Sequence, residues 1–299
     1  MAGKNSDPFM HWKSAVAFDH LKKFVESEDE FKKAAQFFFD SASKHGAVAK
    51  AMLEFSTLMD AFSKIASGRR FLSENNFSRA SEVVPGSSEV LRSTLHFAFL
   101  APYISACATL ETLAGMKNWD EDKFQAYRTT NALLEQAKFA LSFRDETHTL
   151  ITVIEAFLKF SISGALHFEA DSLLASGATE LAADKESRSH QVRREYEHLA
   201  RRAGLELDEI EFFPQRDFVE RDHAPLLLAY PDSENLWLLN VGMHPARLQK
   251  LGDLIISKEI PSISSASFEL RRLTKGKIRV EYLDPFNNER HNVGCMTLV

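Results

Sequence analysis

The sequence is poor in cysteine, glycine and proline, and it has no large excess of charge of one sign. Its two cysteines, Cys107 and Cys295, are far apart among 299 residues, which fits neither a metal-type spacing nor a disulfide framework. A net charge of −6 argues against the overall basic surface that is typical of nucleic-acid binders. We therefore expect a cytoplasmic protein in which any binding of nucleic acid is local.

Motifs of the common enzyme classes are also missing. No GxSxG, HExxH, P-loop, GxGxxG or CxxC pattern occurs. The one local thiol–imidazole pair, Cys295 with His291, would stand about 13 Å apart on a strand, which is too far for hydrogen-bonded activation. The sequence favours a non-enzymatic role.

A metal site inside the helices is an alternative that uses carboxylates and imidazoles in or beside the apolar segments. These residues are Glu111, Glu155, Glu169, His96, His148 and His167. The paired Glu-x-x-His motifs of di-iron bundles are absent, and Glu155 and Lys159 have the spacing of an ion pair with each other. We predict no metal and no cofactor.

Two apolar segments, residues 95–115 and 150–166, approach the hydropathy of membrane spans. Both carry charged residues, which are costly in the middle of a bilayer, and the second is short for a span of about 20 residues. We expect two buried central helices and no membrane insertion. The first 20 residues contain no long apolar run, so we expect no signal peptide.

Phenylalanine is abundant, with 24 residues against 5 tyrosines and 3 tryptophans. Each phenylalanine buries a large area and has no polar atom to satisfy, so the composition predicts an extensive core. Residues 1–204 show the periodicity of successive helices, about eight in number with short connections. We predict an all-α domain that is either a multi-helix bundle or an irregular helical-repeat array.

Glycine and proline predict several helix boundaries in this domain. Gly46 and Gly204 are expected C-terminal stops, and the amphipathic helix that starts near Val48 is expected to end before Gly68. The Pro85-Gly86 pair predicts a break, after which Ser88 would cap the next helix.

The chain changes character after Gly204. Residues 205–224 hold seven acidic residues against two arginines and predict a junction between domains. Residues 225–299 predict an α+β domain, with strands in APLLLAY, NLWLLNVGM and HNVGCMTLV and a helix in HPARLQKLGDLII. The fold class is thus α+β, mainly α.

A β-hairpin is predicted over residues 267–283. A three-residue loop, Thr274-Lys275-Gly276, places glycine where a left-handed residue is needed, and its register pairs Phe268 with Tyr282. The polar face is either a solvated surface with charges crossed diagonally or an anion-binding tip. The basic residues at this tip are Arg271, Arg272, Lys275, Lys277 and Arg279.

A second basic surface is predicted on the last helix of the all-α domain. One stripe of it holds His190, Arg194, His198 and Arg201, which suits a phosphate or an acidic partner, or alternatively a plain solvated face. We call these four residues the helix stripe.

The favoured function is that of an adaptor whose helical surface binds a partner protein. One alternative is a nucleic-acid-associated regulator that uses the hairpin tip and the helix stripe. A second alternative is an enzyme with a site at the domain junction.

Overall fold

The computed structural model describes residues 8–115, 121–142, 149–205, 207, 227–231, 234–240, 245–273, 276–283 and 290–298. The chain begins with eight α-helices, as the sequence predicts. They are α1 (Pro8–His20), α2 (Phe24–Lys44), α3 (Ala49–Ser73), α4 (Phe77–Arg92), α5 (Leu100–Gly115), α6 (Glu121–Ser142), α7 (Thr149–Ala175) and α8 (Thr179–Ala203). A 3-10 turn (Gly46–Val48) joins α2 to α3.

Each helix packs against the next one along the chain. Contacts also join alternate helices, which places α1, α3, α5 and α7 along one layer. Trp12 of α1 meets Phe55 of α3 with ring centroids 6.3 Å apart, and Tyr103 of α5 stacks on Phe157 of α7 at 6.3 Å. This arrangement is a helical array with a continuous core.

Phenylalanine rings fill the first half of that core. Phe55 lies 5.2 Å from Phe38 and 5.1 Å from Phe97, and Phe31 lies 5.5 Å from Phe62, measured between centroids. All five rings are almost fully buried. Packing between helices therefore accounts for part of the phenylalanine content.

The helix boundaries at two of the glycines follow the sequence. The α2 helix ends at Lys44, just before Gly46. The α8 helix ends at Ala203, and Gly204 follows it with a φ of +67°, the left-handed conformation that glycine adopts easily.

Two other predicted boundaries are wrong. The α3 helix continues through Gly68 to Ser73, because Gly68 is a point of close helix contact: a Cβ there would lie 2.5 Å from Val84 Cγ2. The α4 helix continues through Pro85 and Gly86, which are both exposed. Ser88 caps no helix; its buried hydroxyl accepts a hydrogen bond from Ser105 of α5 at 3.0 Å.

The described residues after α8 form seven antiparallel strands. They are β1 (Leu227–Pro231), β2 (Asn235–Asn240), β3 (Ala246–Leu251), β4 (Leu254–Ile260), β5 (Ser264–Glu269), β6 (Gly276–Leu283) and β7 (Arg290–Leu298). The first sheet has the order β1-β2-β5 and the second has the order β4-β3-β6-β7. β1 approaches β7 and β4 approaches β5, so the sheets meet along both pairs of edges.

The predicted helix in HPARLQKLGDLII is wrong, since this segment forms β3, a turn and β4. A bulge between Leu248 and Lys250 shifts the alternation of side chains by one residue. Ala246, Leu248 and Leu251 therefore all face the core, at a spacing that resembles a helix. Gly252, with φ of +58°, makes the turn.

The predicted hairpin over 267–283 is also wrong. β5 pairs with β2, whereas β6 pairs with β3 and β7, so the two segments belong to different sheets. The chain crosses between the sheets through a 3-10 turn (Leu270–Arg272), and the Leu270 N–H donates to the Glu234 carbonyl at 2.8 Å. Antiparallel hairpins do occur in the domain, between β1 and β2, β3 and β4, and β6 and β7.

The strand β1 is buried on both faces of the first sheet. Leu228, Tyr230 and Leu239 join the core of the helical array, and the alternate residues Leu236 and Leu238 join the core between the two sheets. This explains the uninterrupted apolar run around β1, because a strand covered on both sides shows no polar alternation. The first sheet thus contributes to the core of the helical array and to the core between the two sheets.

One described helix, α7, is long and apolar enough to cross a membrane by length and composition, and 44% of its most apolar stretch is buried within the protein. Its charged residues pair with both neighbouring helices. Glu155 pairs with Lys138 of α6 at 2.9 Å, and Lys159 pairs with Glu195 of α8 at 2.6 Å. The predicted pair between Glu155 and Lys159 is therefore wrong.

Candidate interaction surface

A groove opens between α6 and α7. It has a volume of about 410 Å³. Three residues of α6 line one wall and four residues of α7 line the other, each set at helical spacing. The lining residues are Phe124, Arg128, Asn131, Ile162, Ala165, Leu166 and Glu169, which we call the α6–α7 groove.

The groove lies beside a close crossing of the two helices. A Cβ on Gly164 would lie 2.5 Å from Cζ of Tyr127, so the helices touch here only because residue 164 has no side chain. The Ser161 hydroxyl donates to the Tyr127 carbonyl at 3.2 Å and fixes the same crossing. Burial raises the pKa of Tyr127 against the opposing effect of Arg193, so the phenol stays neutral.

The floor of the groove is apolar and incompletely covered. Ile162, Ala165 and Leu166 are each half-buried, and so are all of the α7 residues from 164 to 169. Phe124 stacks on Phe168 with centroids 5.2 Å apart, which holds the ring at one end. Half-buried apolar side chains of two helices thus form a surface suited to a further apolar side chain.

Charge around the groove is asymmetric. Arg128 is exposed and lies over the Phe124 ring, 5.8 Å from its centroid, and no carboxylate in the described part of the chain pairs with it. Glu169 is neutralised by Lys185 of α8. The Oδ1 atom of Asn131 is buried and has no hydrogen-bond partner among the residues that the structure describes.

The helix stripe lies on the exposed side of α8. All four of its residues are exposed. His190 lies 3.1 Å from Glu186 and Arg201 lies 3.6 Å from Glu197, whereas Arg194 and His198 have no such partner among the described residues. The stripe is partly neutralised by its own helix.

The five residues of the predicted hairpin tip are not brought together by a hairpin. Arg271 and Arg272 lie in the 3-10 turn, where both contact the Glu269 carboxylate, at 2.9 Å and 3.0 Å. These contacts lower the pKa of Glu269, with the Arg271 hydrogen bond as the largest cause. Lys275 and the side chains of Lys277 and Arg279 lie outside the described residues.

The junction between the helices and the first sheet holds a Glu–His pair. His96 Nδ1 lies 3.1 Å from the Glu54 carboxylate, and its Nε2 lies 2.9 Å from the Ala229 carbonyl. The Tyr230 ring lies 4.4 Å from the imidazole ring, and Lys50 lies 4.8 Å from the Tyr230 ring. Both nitrogens of His96 are engaged by the protein, which leaves neither for proton transfer to a substrate.

Glu54 also accepts from the backbone N–H groups of Leu95 and His96, at 3.2 Å and 3.1 Å. Burial opposes its ionisation, but these bonds and the His96 side chain outweigh it and hold the pKa of Glu54 below its ordinary value. Burial and the Glu54 charge raise the pKa of Tyr230. The cluster joins the helices to the sheet.

The described carboxylates and imidazoles of the metal alternative pair with other residues. Glu111 meets Arg69, Glu155 meets Lys138, Glu169 meets Lys185 and His96 meets Glu54. His167 meets Glu186, which also contacts His190, and it lies 3.9 Å from Asp171. In the described ranges no three His, Cys, Asp or Glu side chains are placed to hold a metal ion. His148 and the side chains of His291 and Cys295 fall outside those ranges. Cys107 is fully buried in α5.

Sequence reasoning missed the α6–α7 groove. Its apolar residues have the same spacing as core residues, and an unpaired arginine is ordinary on a surface. The sequence does contain two adjacent small residues, Gly164 and Ala165, within an apolar helix. Small residues allow another helix to pack closely, but they do not predict where a groove remains between the helices.

Comparison with known proteins gives no relative. No protein family model, curated protein or solved structure matches the chain.

Proposed function

We propose that this protein is an adaptor that binds a segment of a partner protein in the α6–α7 groove. The observation that supports the proposal is an opening of about 410 Å³ between two helices, which Phe124 and three apolar residues of α7 line in part. Arg128 at its rim has no carboxylate partner among the described residues. Helical arrays serve widely as binding surfaces, and the chain lacks the common catalytic motifs. The scarcity of cysteine supports the cytoplasm as the place of action.

The experiment compares tagged wild-type protein with a groove-filling variant, Ala165→Trp, after expression in the cells of origin. A matched control, Leu181→Trp, adds the same side chain at an exposed apolar site of α8. Capture is carried out at high salt after nuclease treatment and is quantified by mass spectrometry. We expect Ala165→Trp alone to lose specific protein partners. Retention of every partner by a folded Ala165→Trp protein would refute the groove as the binding surface.

A second candidate function is association with nucleic acid through the helix stripe. The observation that favours it is the exposure of Arg194 and His198 without a carboxylate partner in the described part of α8. We expect weak binding of a 25-base-pair DNA duplex that falls steeply with salt, and a smaller salt slope in Arg194→Ala. Fluorescence anisotropy measures both. Equal slopes for wild type and variant would exclude the stripe.

A further inference from the structure

The α6–α7 groove has three properties that together select its occupant. Ile162, Ala165 and Leu166 give it an apolar side, Arg128 carries a positive charge at its rim, and Asn131 has a side-chain oxygen without a described hydrogen-bond partner. We propose that the occupant is a short protein segment that places a large apolar side chain in the groove and a carboxylate, three or four residues away, on Arg128. This inference rests on the proposed function.

The size and lining of the groove suit a large apolar side chain. A volume of about 410 Å³ lies within the range of about 300–1,000 Å³ that is typical of ligand pockets. Ile162, Ala165 and Leu166 line one side and the Phe124 ring lines the other, so a leucine-sized or phenylalanine-sized side chain would exchange water for apolar contacts on two sides.

Arg128 favours an occupant that carries a carboxylate. Its guanidinium is held over the Phe124 ring at 5.8 Å, next to the apolar floor, and no described carboxylate pairs with it. The one lining carboxylate, Glu169, already meets Lys185. An incoming Asp or Glu therefore gains an unshared partner, whereas an incoming Lys or Arg is repelled by Arg128.

The length of the groove is compatible with this spacing. Phe124 and Asn131 are seven residues apart on α6, which corresponds to about 10 Å, or two helical turns. A segment of the same length presents residues i and i+3 or i+4 on one face when it is helical. A peptide also supplies N–H donors, and Asn131 lines the groove with a side-chain oxygen that has no hydrogen-bond partner among the described residues.

The test is a selection of random 12-residue peptides displayed on phage, carried out on the full-length protein. Five proteins are used in parallel: wild type, the groove variants Ala165→Trp and Leu166→Lys, the charge variant Arg128→Glu, and Arg92→Glu as a control on the exposed surface of α4. Circular dichroism establishes that each variant is folded.

We expect wild type and Arg92→Glu to enrich peptides with a large apolar residue and an Asp or Glu three or four positions away. Ala165→Trp and Leu166→Lys should lose them, and Arg128→Glu should enrich Lys or Arg at the acidic position. Affinity of the best synthetic peptide should fall about tenfold on Arg128→Glu, the effect of one charge contact.

Two results overturn the inference in different ways. Peptides that are blocked by both groove variants but have no acidic residue, and that bind Arg128→Glu equally well, would refute the stated chemistry and leave the groove as a binding site. A selection in which no peptide is sensitive to either groove variant would refute the proposed function together with the inference.

Discussion

Replacement of Glu54 by alanine should destabilise the contact between the helical array and the first sheet. Glu54 is only 12% exposed and accepts three hydrogen bonds, from the backbone N–H groups of Leu95 and His96 and from the His96 imidazole. His96 in turn donates to the Ala229 carbonyl of β1. One carboxylate therefore orders both the turn before α5 and the side chain that reaches the sheet.

The expected magnitude follows from the number of donors left unpaired. Removing a buried charged partner costs about 3–5 kcal/mol, and partial exposure of this site puts Glu54→Ala at the low end, about 3 kcal/mol. Glu54→Gln keeps an oxygen acceptor but removes the charge, so we expect about 1–1.5 kcal/mol. An exposed control, Glu89→Ala, should change stability by about 0.5 kcal/mol or less.

Urea unfolding followed by circular dichroism gives these free energies, and hydrogen exchange locates the effect. Glu54→Ala should raise exchange in β1 more than in α6 and α7. The lowered pKa of Glu54 means that its contribution is present at neutral pH and is lost as the pH falls through that pKa. Equal stability of Glu54→Ala and Glu89→Ala, or exchange that is unchanged in β1, would refute the reasoning.

Two further predictions concern the helices. Burial raises the pKa of Asp19 to about 6 against the lowering effect of Arg69, so the native state retains a proton that the unfolded state releases near pH 3.8. The free energy of unfolding should therefore fall by on the order of 3 kcal/mol as the pH rises from about 4 to 6. Asp19→Asn should lack this component of the pH dependence measured by urea unfolding. The same pH dependence in wild type and Asp19→Asn would contradict the assignment. Gly68→Ala should destabilise by about 1–3 kcal/mol despite the higher helix propensity of alanine, because its Cβ would meet Val84. Val84→Ala should relieve that effect, and additive thermal-melting changes in the double variant would exclude direct contact.

The helical part of the fold was largely predictable from the sequence. The α3 helix follows from one stripe of apolar residues, and the end of α8 follows from Gly204. Pro85 misled because proline is costly in a helix but tolerated here, where α4 keeps it exposed while Val84 and Ser88 on a neighbouring face are buried. The packing of α4 therefore outweighs the tendency of Pro85 to end the helix.

The sheets were less predictable, for reasons of long-range pairing. The bulge after Leu248 changes the spacing of the buried residues along β3, so the strand resembles a helix in the sequence. No feature of the sequence near Phe268 or Tyr282 shows that these two residues belong to different sheets. The candidate groove depends on where α6 and α7 separate, which is set by the contact of Gly164 with Tyr127. Contacts between distant residues of this kind leave only a weak trace in a single sequence.

The shared first sheet has a consequence for modularity. A fragment that begins after Gly204 would expose Leu228, Tyr230 and Leu239 to water, because the surface that covers them belongs to the helices. Such an apolar patch promotes aggregation. The boundary in composition near residue 204 is therefore a poor place to divide the protein for expression, and insertions or fusions at this point would separate two halves of one folding unit.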